Sequence, residues 1–232
     1  MAGYRSAEAK LQEGIRLFGL KRWEAAVQEF LKIDTGIFSA NENTELAYYL
    51  GLSYMKLQRF DDALIYLEQV VTDSQEPLRI YQCRLTLAYV YLMTNRVKLA
   101  EFELERLSKS GFESVQLYTT LGYTAWTQQR YEEAVEYYEK ALDLDNNNTT
   151  AMNGLGYILA DTDMDPARGL RFCRRAVEKA PQNAAYLDSL GWAHYKSGDT
   201  RESRIWLRRA FDLAPHNADI RAHMRLLVGE RS

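Results

Sequence analysis

Histidine is the side chain best suited to acid–base or metal chemistry near neutral pH, and this chain has three: His194, His216 and His223. His194 sits within a helical pattern of apolar residues, where a packed neutral imidazole is expected. His216 falls in a Pro215-His216-Asn217 turn, and His223 follows in a short amphipathic segment. Their spacing can bring the last two rings close, yet no Cys or carboxylate set completes a zinc site around them. There is no H-E-x-x-H, no phosphate-binding loop, no dinucleotide fingerprint and no G-x-S-x-G elbow. The acidic pairs Asp61-Asp62 and Glu132-Glu133 fall in the first turns of expected helices, where the helix dipole accounts for them. The run Asp161-Thr162-Asp163-Met164-Asp165 suggests a cation loop but lacks the glycine and terminal acid of an EF-hand. Asn148-Thr149-Thr150 meets the glycosylation pattern and reads more simply as a turn before a helix. Cys83 and Cys173 lie in apolar helical contexts and read as core filling. The expectation is no catalytic residue, no metal and no cofactor.

The elements that hold these residues follow from composition and spacing. With 232 residues, 47% of them hydrophobic and 26% charged, the chain can bury a core and does not resemble a disordered segment. Four Pro in that length favour long helices over many short strands. The start, MAGYRSAEAKLQEGIRLF, has no apolar signal core and no lipidation Cys, and no apolar run is long enough to cross a membrane. The expected location is cytoplasmic, without direct membrane insertion.

Internal similarity is the strongest signal. Small residues stand at Gly14, Gly51, Ala88, Gly122, Gly156 and Gly191, at spacings of 37, 37, 34, 34 and 35. A second small residue follows each: Ala26, Ala63, Ala100, Ala134, Gly169 and Ser203. Seven further on come Ile33, Val70, Leu107, Ala141, Ala176 and Ala210, with Phe30, Leu67, Leu104, Tyr138, Cys173 and Leu207 between. Two helices per period explain the pattern. The first small residue marks helix A, and the second marks helix B with an apolar stripe at helical spacing. Short polar turns such as Gln128-Gln129-Arg130 make the two antiparallel neighbours.

These residues resemble the tetratricopeptide repeat (TPR) family. The clearest units read Leu121-Gly122-x2-Ala125…Tyr131-x2-Ala134-x3-Tyr138-x2-Ala141 and Leu190-Gly191-x2-His194…Ser203-x3-Leu207-x2-Ala210-x4-Pro215. The segment Asp188-Ser189-Leu190-Gly191-Trp192 is similar to one common in bacterial members. The resemblance implies an all-α fold, an α-solenoid of about six helix-turn-helix repeats in a single domain over residues 1–232. The repeats are expected near 7–40, 44–77, 81–114, 115–148, 149–183 and 184–217, with a capping helix at 218–228. Extra residues fall near Asp34–Asn43, near Thr72–Arg79 and around Ala160–Pro166, and Gly169 stands where Ala is usual.

In this family helix A lines a concave face, with the fifth, ninth and twelfth residues of each repeat turned inward. Carried onto this chain, those positions put forward Tyr48, Leu52, Tyr89, Tyr123, Trp126, Asn153, Tyr157, Asp188, Trp192 and Tyr195 as partner-binding residues. Aromatic rings at one register are the side chains that dominate protein interfaces. Members that clamp the acidic tail of heat-shock chaperones carry Lys, Asn and Arg in these slots. Here the slots hold Leu11, Ile15, Leu85 and Tyr89, so an apolar or aromatic segment is the expected partner.

Charge divides unevenly. Residues 165–232 hold 13 Lys or Arg against 8 Asp or Glu, whereas the chain as a whole carries a net charge of −3. Arg174, Arg175, Arg204, Arg208 and Arg209 form a candidate basic patch on successive B helices, or an ordinary solvated helix surface. The function expected is a non-catalytic adaptor that takes a peptide or helix in an aromatic-lined groove. Self-association as a homodimer and nucleic-acid binding through the Arg-rich third are the alternatives, the latter disfavoured because no reader motif accompanies the arginines.

Overall fold

The computed structural model describes residues 2–229. Among them the fold is all-α, with thirteen α-helices and no strand. The chain forms two compact units, Met1–Phe112 and Glu113–Ser232. The first contains α1 (Ala2–Gly19), α2 (Trp23–Phe30), α3 (Ala40–Lys56), α4 (Phe60–Asp73), α5 (Pro77–Met93) and α6 (Val97–Lys109). The second contains α7 (Val115–Thr127), α8 (Tyr131–Leu144), α9 (Thr149–Asp161), α10 (Pro166–Lys179), α11 (Ala184–Lys196), α12 (Thr200–Leu213) and α13 (Ala218–Gly229). Within each unit, consecutive helices pack as hairpins and neighbouring hairpins stack.

Each A helix stops in the same way. One residue enters the left-handed region: Lys21, Gln58, Asn95, Gln129, Asp163 and Gly198, with φ between 58° and 81°. An amide just beyond it then returns to the helix, as Arg59 N–H does to the Tyr54 carbonyl at 2.9 Å and Arg130 N–H to Ala125 at 2.9 Å. This closure satisfies carbonyls that the helix end would leave unpaired and reverses the chain tightly. The fifth turn absorbs its additional residue by bonding Asp165 N–H to the Leu159 carbonyl at 3.2 Å. Side chains stabilise the opposite ends. Asp165 caps α10 ahead of Pro166, Ser39 and Glu42 form a capping box at α3, and Pro77 opens α5. The extra residues before α3 form a 3-10 turn at 35–37, capped by Asp34.

The small residues of the A helices admit side chains from the B helices. A methyl group on Gly51 would lie 2.8 Å from Leu67 Cγ, and one on Gly191 would lie 2.7 Å from Leu207 Cγ. Leu67, Leu104 and Leu207, along with Ala63, Ala100, Ala134 and Ala210, are fully buried. The α9–α10 pair is tighter still. A methyl group on Gly169 would meet the Ala160 nitrogen and the Gly156 oxygen, both at 2.8 Å. Gly169 therefore lets two backbones touch where Ala is the usual residue. In the first unit the α5–α6 pair, with Ala88 at its close approach, carries a buried ion pair. Arg84 Nη1 donates to Glu103 Oε2 at 2.5 Å, and both residues are only 8% exposed. At the other end of the chain, α13 packs on α11 and α12 and buries Ile220 and Leu227.

Two substitutions test this packing. Ala at Gly169 gains about 1 kcal/mol of helix propensity, but overpacking against backbone costs about 1–3 kcal/mol. Chemical denaturation should therefore give a net loss of stability. Glu103→Ala leaves Arg84 buried without its partner and should cost about 3–5 kcal/mol, read as a lower denaturation midpoint.

Candidate binding groove

Helices α7, α9, α11 and α13 of the second unit wall a groove of about 400 Å³. Trp126, Asn153 and Tyr157 reach into it from α7 and α9, Asp188 from α11 and His223 from α13. Tyr138 of α8 forms part of its floor. It is 5% exposed and fits against Gly154, where a methyl group would lie 2.3 Å from its ring.

The rings run continuously through this unit. Tyr123 lies 5.6 Å from Trp126, centroid to centroid, and Trp126 meets Tyr157 edge-on at 5.8 Å. Tyr157 lies 6.4 Å from His223, which stacks on Trp192 at 4.2 Å, and Trp192 stacks on Tyr195 at 4.9 Å. Hydrogen bonds hold these rings in place. Trp192 Nε1–H donates to Asp161 Oδ1 at 2.8 Å, and His223 Nδ1 lies 2.9 and 3.0 Å from the two oxygens of Asp188. A carboxylate only accepts, so Nδ1 carries the proton in this contact. Burial raises the Tyr157 phenol well above its ordinary range, and Asp161, Asp188 and Asp219 add to the effect. Asn153 Oδ1 is buried without a hydrogen-bond partner among the described residues. A buried acceptor of this kind calls for a donor.

Seven of the residues drawn from the sequence thus meet in one unit: Tyr123, Trp126, Asn153, Tyr157, Asp188, Trp192 and Tyr195. Tyr48, Leu52 and Tyr89 belong to the first unit. Tyr48 donates to Gln82 Oε1 at 2.8 Å beneath the Arg79 guanidinium, Leu52 is half-buried, and Tyr89 is 46% exposed on α5. Arg174 and Arg175 lie exposed on α10, and Arg204, Arg208 and Arg209 lie exposed on α12. Arg208 pairs with Asp212 one turn on, Arg175 donates to the Asn146 carbonyl, and Arg209 covers the Trp206 ring.

His223 and Tyr138 are groove residues that the helix A register omits. His223 follows Ile220 by three residues and precedes Leu227 by four, so it shares their inward face of α13. That phase is visible in the sequence, but the element it faces is not. The three carboxylates of the Asp161–Asp165 run face separate partners. Asp161 takes the Trp192 indole, Asp163 pairs with Lys196 and Asp165 caps α10. Asn148 caps α9.

Tetratricopeptide repeat models match residues 45–74, 115–148 and 165–218. The chain belongs to the tetratricopeptide repeat family, whose fold is that of protein-interaction modules. A TPR repeat-containing protein of Pseudomonas aeruginosa is 32% identical over 78 residues, a match that takes in 34% of this chain and 13% of that protein. Among solved structures, PilF of Pseudomonas aeruginosa superposes with a TM-score of 0.73 at 14% identity, over 97% of this chain and 99% of the other. A chain of the APC/C Cut9–Hcn1 hetero-tetramer gives 0.79 at 13% identity, over 96% of this chain and 42% of that one. YrrB, described as a TPR protein with an unusual peptide-binding site, gives 0.55 at 18% identity, over 78% and 91% of the two chains. At these identities the three structures share the fold with this chain. No helix among the described residues is long and apolar enough to cross a membrane.

Two thiols and one imidazole lie buried among apolar side chains. Cys83 and Cys173 are fully buried, and burial raises both thiols to about 12. A thiol reagent should leave both unmodified in the native protein and label both in denaturant. His194 is 6% exposed, and burial holds its pKa below the ordinary value, with Asp199 opposing. The unfolded chain binds that proton near pH 6.5 and the folded chain only at lower pH. Stability from this residue is therefore complete above about pH 6.5 and falls on acidification. His194→Tyr should flatten the melting temperature between about pH 6.5 and 5 relative to wild type.

Proposed function

We propose that this protein is a non-catalytic adaptor that binds a peptide segment or short helix in the groove of its second unit. The observation carrying this reading is the unbroken run of rings from Tyr123 to Tyr195 beside an unpartnered Asn153 carbonyl. Rings bury a large area with few rotors to immobilise, so they supply affinity at low entropic cost. Asn153 adds an acceptor suited to a peptide N–H, and a groove of about 400 Å³ takes a few side chains. YrrB, with its described peptide-binding site, lends the reading support as a protein of like fold. The helical-repeat framework, together with cysteines and a histidine spent on packing, favours binding over turnover.

A random dodecapeptide display library selected on the full chain provides the test. Selected peptides should bind wild type and lose about thirtyfold in affinity to Trp126→Ala, as expected when a central aromatic anchor worth about 2 kcal/mol is removed. Tyr123 is 44% exposed, so Tyr123→Ala should also weaken binding with the fold retained. Equal binding by wild type and a folded Tyr123, Trp126, Tyr157 triple-alanine variant would exclude the groove.

A further inference from the structure

The groove has a chemical bias that its aromatic walls alone do not explain. Among the described residues that line it, none is Lys or Arg, while Asp188 and Asp219 both do. Asp161 lies just behind, held by the Trp192 indole. Residues 113–164, which supply α7 to α9, hold two Lys or Arg against nine Asp or Glu, whereas residues 165–232, which supply α11 and α13, hold 13 against eight, so the bias belongs to the lining itself. The hydrogen-bonding groups lean the same way. Ser189 Oγ already donates to the Ala185 carbonyl, and the Trp192 N–H is taken by Asp161. The buried Asn153 Oδ1 offers an acceptor without a donor. Ring faces, carboxylates and an unpartnered amide oxygen all favour a ligand rich in N–H and positive charge. Aromatic faces attract cations through their quadrupole, most strongly when water is excluded.

We infer that the groove selects peptides carrying an arginine or lysine, whose cationic end lies over the Trp126 and Tyr157 rings and is balanced by Asp188 and Asp219. The inference rests on the peptide-binding reading above and specifies its ligand. Charge complementarity decides the occupant. An acidic or phosphorylated segment would bring anions toward two carboxylates, with no Lys or Arg among the described lining residues to receive them. His223 contributes by orienting Asp188. Its Nδ1–H engages that carboxylate while its ring stacks on Trp192, so the acid is held in place inside the groove.

The experiment uses the full chain and the same random dodecapeptide library, keeping only clones that bind wild type and fail on a Trp126→Ala or Tyr123→Ala counter-selection. These clones should be enriched in Arg or Lys. A synthetic peptide from the set should lose at least tenfold in affinity when its Arg becomes citrulline or its Lys becomes norleucine. It should lose a similar factor on Asp219→Asn, an exposed position where the fold tolerates the change, and should weaken between 50 and 500 mM salt (on the order of the range over which screening acts). Groove-dependent clones that are neutral or acidic, or affinities unchanged within twofold by citrulline, norleucine and Asp219→Asn, would overturn the cation inference while leaving the groove a peptide site. Absence of any groove-dependent clone would overturn both readings. Self-association at micromolar concentration that disappears in Trp126→Ala would assign the groove to a second copy of this chain and also overturn the inference.

Discussion

Everything in this fold depends on how closely helix A and helix B of one repeat approach each other. The gap is set by a residue with almost no side chain on helix A, and a large side chain of helix B enters it. Phe30, Leu67, Tyr138, Cys173 and Leu207 each occupy space that a methyl group on Gly14, Gly51, Gly122, Gly156 or Gly191 would claim. Because interiors are close-packed, that contact leaves little freedom in the rotation of helix A about its axis. The ninth and twelfth residues of the repeat then lie one turn apart on a single flank, in register from one A helix to the next. In the second unit this registration brings Trp126, Tyr157 and Trp192 into one run.

Repetition alone would give an open, featureless flank, and the last helix changes that. Through Ile220 and Leu227, α13 covers apolar surface at the end of the array. The same face carries His223 to Asp188. A carboxylate that is 6% exposed is costly to bury without partners, and His223 supplies one while its ring extends the aromatic run. Capping and groove construction are therefore the work of a single helical face. Tyr138 joins the two layers in a comparable way, since it fills the seam of its own repeat and forms groove floor against Gly154. Groove shape and repeat stability are coupled at that residue.

Much of this is legible in residue order, because the helical period and the repeat period are both local. Small residues at spacings near 34 to 37 imply paired helices. Pro77 and Pro166 at helix starts, and the polar turns between A and B helices, coincide with the observed ends of the elements. The family register placed Tyr123, Trp126, Asn153, Tyr157 and Asp188 among the lining residues of the groove for the same reason. Less legible were features whose meaning depends on a partner distant in sequence. Arg84 and Glu103 look like two ordinary surface charges until α5 and α6 bury them together. The Asp161–Asp165 run looks like one acidic loop, yet its three carboxylates face three different neighbours.

By itself, then, the sequence determined the helices, their pairing, the family and the register of the aromatic flank, because each follows from side-chain size and spacing within about 40 residues. Only the tertiary structure decided that His223, 35 residues from Asp188, completes the groove. It also decided that, among the described residues, Asn153 keeps a buried oxygen without a donor and that carboxylates, with no Lys or Arg in the lining, border the rings. Periodicity specifies which way a side chain points from its own helix. What that side chain meets is set by the packing of other helices, which no local pattern encodes.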